Sequence, residues 1–143
     1  MNRPLKIIFP AKLDFPQMVE DIFEVIAANA TDDKRTANHI RLALSEVFNN
    51  AYLYGENDIP GAEIIVEICF NDESFKASVI NNGQGLVDKQ IKNKKLPPGD
   101  AESGRGLVLI KQICDKVDCR TVRGNKFKLS FEIKLDQKQK VEK

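Results

Sequence analysis

Histidine is nearly absent from this chain: among its 143 residues His39 is the only one. A His-rich metal centre is excluded, and a triad built on an imidazole base is disfavoured. Catalysis has to rest on carboxylates, amides, glycines and cations. Cysteine is scarce and odd in number, with Cys69, Cys114 and Cys119 forming no CxxC pair. That argues against a disulfide framework or a zinc site and suits a reducing compartment. No apolar run approaches the roughly 18 residues that span a bilayer. Met1 to Lys6 leads into only a short apolar run before Pro10, so no secretory signal is read there. Excess charge of one sign is missing too, because 22 Lys+Arg against 21 Asp+Glu leave a formal charge of +1. There is neither the basic excess of a nucleic-acid binder nor an acidic tail. The expectation is a cytoplasmic protein without direct nucleic-acid or membrane contact. With 42% hydrophobic and 30% charged residues, it reads as one globular domain over residues 1–135, followed by a polar tail at 136–143.

Periodicity places the elements. Leu5 to Phe9 is a β-prone run closed by Pro10. Asp14-Phe15-Pro16 opens a helix, with Val19, Ile22, Phe23, Ile26 and Ala30 on one face. Thr31-Asp32-Asp33 breaks it and offers caps to a second helix. That helix carries Ile40, Ala43, Leu44, Val47, Phe48, Ala51 and Tyr54 on one stripe and ends at Gly55. After a turn at Asn57 to Gly61, alternation predicts strands over Ala62–Phe70 and Phe75–Ile80. From Asn81 to Gly106 the chain is rich in Gly, Pro, Asn and Lys, and irregular stretches beyond about 12–15 residues in compact domains are usually functional or disordered. A third helix is expected from about Leu107 to Val117, and a last strand over Phe127–Leu135. The economical packing is α+β: a two-layer α/β sandwich with a mixed, mostly antiparallel sheet and helices on one face.

Three places carry chemistry. Glu46 and Asn50 are i,i+4 neighbours at the edge of the second helix's apolar stripe. A carboxylate and an amide there need polar partners. A divalent cation and its waters meet that need, and so does a mutual hydrogen bond. Asn81-Asn82-Gly83-Gln84-Gly85 follows a strand directly, which suits backbone approach to a flat ligand but equally suits a turn. Ser103-Gly104-Arg105-Gly106-Leu107 opens a helix. Free N–H groups there suit phosphate, with Arg105 adding charge, although glycines also simply end loops.

In this order and context the three are jointly specific. The sequence resembles the GHKL (Bergerat-fold) ATPases, and within them the short anti-sigma-factor serine/threonine kinases. Glu46 and Asn50 match the N box, Asn81-x-Gly83-x-Gly85 the first glycine box, and Gly104-x-Gly106-Leu107 the second, over about Pro10 to Leu135. The resemblance implies ATP and Mg²⁺ as cofactors, Glu46 as catalytic base and Asn50 as Mg²⁺ ligand. It implies that Asn81 faces the adenine, that Gly83 and Gly85 shape the nucleotide floor, and that Ser103 to Leu107 hold the phosphates. Leu86 to Ser103 becomes the ATP lid, with Lys89, Lys92, Lys94 and Lys95 near phosphate charge. The implied phospho-acceptor is a Ser or Thr of a small anti-sigma-factor antagonist. A sigma factor and a second copy of the chain, as a homodimer, are further partners.

Departures from the family pattern sit at the adenine end. The family's usual Asp is Asn81, a neutral acceptor whose amide half needs its own acceptor. Its late Gly-Thr is Asn125-Lys126, and the His that commonly closes the N box is Tyr54, before Gly55. Asn81 and Lys126 favour an alternative, a nucleotide-binding or degenerate module of the same fold that sequesters a partner without efficient phosphoryl transfer. Retention of both Glu46 and Asn50 favours the kinase. No helix bearing a phospho-acceptor His precedes the domain, which disfavours a sensor histidine kinase.

Overall fold

Five strands form the sheet because their apolar residues recur at every second position. A computed structural model describes residues 3–55, 58–82, 102–122 and 126–135. The strands are β1 (Leu5–Pro10), β2 (Glu63–Phe70), β3 (Ser74–Asn82), β4 (Lys116–Val122) and β5 (Lys126–Lys134). Their order is β1-β2-β3-β5-β4, and every pairing is antiparallel rather than mixed. Ile64, Val66 and Ile68 on β2 share one face with Phe75, Ala77 and Val79 on β3 and with Phe127, Leu129, Phe131 and Ile133 on β5. On the other face Ser78 and Ser130, opposite each other, share a hydrogen bond of 2.9 Å.

The helices α1 (Pro16–Ala30), α2 (Lys34–Tyr54) and α3 (Glu102–Ile113) are the helices among the described residues. α2 packs over β2, β3 and β5 and against both other helices, giving two layers around one core. Phe48 ties the layers, meeting Phe9 edge-on at 5.1 Å and Phe23 at 5.7 Å. Burying a side chain such as Phe23, Phe75 or Phe127 contributes about 1.5–3 kcal/mol.

Local chemistry sets the boundaries. Pro16 occupies the first turn of α1, where its missing N–H costs nothing. Asp33 caps α2, accepting from the Thr36 amide at 2.9 Å and from the Thr36 hydroxyl. The Gly55 amide closes α2 by donating to Ala51 O, with Gly55 in extended rather than left-handed backbone. Ahead of β2, Pro60 and Gly61 form the centre of a turn closed by Ala62 N to Ile59 O at 3.0 Å. Gly61 supplies the φ of +77° that this turn needs.

Two expectations are corrected at the third helix. It starts at Glu102, not near Leu107, and ends at Ile113, not at Val117. Val117 instead belongs to β4, which sequence reasoning missed. Asp115 makes the switch: its amide donates to Glu132 O, and its carboxylate accepts from the Lys134 amide. These bonds draw the chain into an edge pairing with β5 directly after the helix.

Candidate functional site

The edge of the α2 stripe puts two polar residues next to the core. Ile40, Ala43, Leu44, Val47 and Ala51 are buried, and Asn50 joins them at 6% exposure. A buried amide is stable only when hydrogen-bonded, and Asn50 has a partner in the fold. Glu46, one turn earlier, is half-buried. Burial pushes its carboxyl above the ordinary glutamate value, and the nearby Glu20 carboxylate adds to the effect. A carboxylate raised in this way is a better proton acceptor near neutral pH than an exposed one.

β3 supplies the second part. Its inward alternation runs Phe75, Ala77, Val79 and then Asn81, so a polar side chain takes the last core-facing place, opposite Phe127. Asn81 is 2% exposed. Its Nδ2 donates to the Asn82 carbonyl at 2.7 Å. A carbonyl only accepts, so this contact fixes which end of the amide is nitrogen. The Oδ1 is left as a buried acceptor without a hydrogen-bond partner among the described residues. Such an atom costs about 1–3 kcal/mol until a donor reaches it. An exocyclic amino group on a flat heterocycle is a fitting donor. The amide half, which had no evident acceptor from the sequence, takes one from its own neighbour.

α3 supplies the third part. It packs against α2, anchored by Leu107 and Ile110, both buried. Gly104 and Gly106 lie within its first turns, not ahead of it. The amides of residues 102–104 therefore have no intrahelical acceptor, and such groups attract anions. The side chains of Ser103 and Arg105 lie outside the described residues. So do Gly83, Gly85, the segment 86–101, Asn125 and the Tyr54 side chain.

Lys126 begins β5 opposite Asn82 and alternates with the buried Phe127, which puts it on the outer face, away from the Asn81 side chain. There it borders a cavity of about 140 Å³ that Ile65, Ile80, Asn81 and Asn82 also line. Among the described residues no three His, Cys, Asp or Glu side chains converge as a metal site. Mg²⁺ usually keeps several waters and takes few protein oxygens beside a ligand's phosphates, and the Asn50 side chain offers one such oxygen.

Sequence reasoning missed Glu20, which reaches from α1 to α2 and influences Glu46. No local pattern marks it. A family model described as a histidine kinase-like ATPase domain matches residues 9–131. No curated protein matches the chain.

Proposed function

The chain belongs to the histidine kinase-like ATPase domain family, and from that premise we propose that it is an ATP-dependent protein serine/threonine kinase of the anti-sigma-factor type. The observation that carries nucleotide recognition is the buried, unpartnered Oδ1 of Asn81. It accepts from the adenine amino group, while Nδ2 stays with Asn82. Asn50 holds Mg²⁺ through its side-chain oxygen, and the free amides at the start of α3 face the phosphates. When bound, Mg²⁺–ATP supplies the γ-phosphoryl group and neutralises the charge that develops on it. Glu46 takes the proton of the acceptor hydroxyl, a task suited to a carboxyl raised by burial.

The acceptor is a Ser or Thr of an anti-sigma-factor antagonist, with a sigma factor as a second partner and a homodimer as the assembly. These partners rest on the resemblance of the three motifs alone. A cytoplasmic location is part of the same reading. Among the described residues no helix is long and apolar enough to cross a membrane.

Calorimetry with Mg²⁺–ATP on wild type and Asn50→Ala tests the reading. Wild type is expected to bind, and Asn50→Ala to lose the dependence of binding on Mg²⁺. Absence of binding by wild type sinks the kinase and leaves a sequestering module of the same fold.

A further inference from the structure

Ser45 and Glu46 are consecutive on α2 and point about 100° apart around the helix. Glu46 shares its edge with Asn50, whereas Ser45 faces α1. Ser45 is 7% exposed, and its hydroxyl donates to Oε1 of Glu20 at 2.5 Å. Arg41 Nη1, one turn earlier on α2, stands 3.9 Å from the same oxygen. Glu20 is therefore held from two sides, although about a third of its side chain is open to water. Among the described residues it is the charged group that acts on Glu46. Arg41 faces Glu20 from the same helix that carries Ser45. An anion fixed by the residue next to a half-buried carboxylate changes what that carboxylate can do.

Resting on the reading of Glu46 as proton acceptor, we propose that Glu20 is a positioning residue for the transfer. Held by the Ser45 hydroxyl, it keeps a second negative charge beside Glu46 and stabilises the proton that Glu46 receives. In that step the acceptor oxygen bonds to the γ-phosphorus and the bond from that phosphorus to the β,γ-bridging oxygen breaks. ADP leaves with the electron pair, and the hydroxyl proton passes to Glu46. Glu20 touches neither substrate nor phosphate.

A merely structural Glu20, clamping α1 to α2, differs in what Glu20→Gln does. The amide oxygen still accepts from Ser45, so the clamp survives and only the charge is lost. Carbon-detected NMR of the Glu46 carboxyl reads the charge directly in wild type, Glu20→Gln and Glu20→Asp. The expected result is a lower Glu46 titration midpoint in Glu20→Gln, still above an ordinary glutamate because burial remains, with Glu20→Asp restoring much of the wild-type value. Phosphate release from Mg²⁺–ATP, with water as acceptor, supplies the second readout. Its acid limb is expected to move to lower pH in Glu20→Gln by the same amount. An unmoved Glu46 midpoint in Glu20→Gln overturns the proposal, and Glu46 stands as the base if Glu46→Gln abolishes turnover. A moved midpoint with full turnover by Glu46→Gln instead overturns the reading of Glu46, and the proposal with it.

Discussion

Asn81 gives its Nδ2 proton to the carbonyl of its own neighbour, Asn82, at 2.7 Å, and by doing so keeps Oδ1 available to a ligand. An aspartate in the same position sets a second acceptor against that carbonyl, and attraction becomes repulsion. Asn81→Asp is therefore expected to bind Mg²⁺–ATP more weakly than wild type. Loss of one buried hydrogen bond, about 1–3 kcal/mol, corresponds to a roughly 5- to 150-fold rise in Kd. Calorimetry measures it, and tighter binding would show that the side chain does not need the Asn82 contact.

Glu46 is expected to limit stability at neutral pH. Its folded-state pKa lies above the ordinary value of 4.5, because of burial first and Glu20 second. The folded protein thus holds this proton more strongly than the unfolded chain does. The resulting stability is fully present below pH 4.5 and is lost as pH rises through the folded value. Glu46→Gln is expected to abolish phosphoryl transfer yet raise the thermal midpoint at neutral pH, with the gain shrinking on acidification. Scanning calorimetry across pH decides this. An unchanged neutral midpoint means that water solvates the carboxylate well.

Asp33 shows the opposite sign. Hydrogen bonds from the Thr36 side chain and then the Thr36 amide hold its carboxyl below the ordinary 3.8. That contribution is present above pH 3.8 and is lost as pH falls through the folded value. Asp33→Ala is expected to lower the urea midpoint at neutral pH, because α2 loses its cap, and to differ less from wild type under strongly acidic conditions. Equal deficits at both pH values would assign the loss to something other than the charged cap.

Ile110 is fully buried and anchors α3 to the core. Ile110→Ala is expected to cost about 2–5 kcal/mol by urea unfolding. Because the proposed phosphate site is the start of the same helix, ATP affinity should fall as well. A large stability loss with unchanged affinity would separate the helix start from the nucleotide.

The sequence made β2, β3 and β5 readable because each is buried on one face, so apolar residues recur at every second position. β4 was not readable. It is an edge strand in which Val117 and Cys119 are only partly covered, Thr121 is exposed, and Asp118 and Arg120 lie between them. Val117 also continues the apolar spacing of Ile110 and Cys114, which drew the expected helix past its true end. α3 starts earlier than its glycines suggest, because the first turn of a helix tolerates glycine where few intrahelical bonds are at stake. Asn81 stood out as a polar residue ending an alternating strand. Glu20 did not, because its partner Ser45 lies 25 positions away and only the packing of α1 on α2 brings them together.

The register of β3 against β5 reaches to its very end, where Asn82 lies directly opposite Lys126. Asn81 therefore takes its place from the sheet, on the near side of the point where residues 83–101 depart for α3. The end of β3 is thus set by its pairing with β5 and not by the chain that follows it.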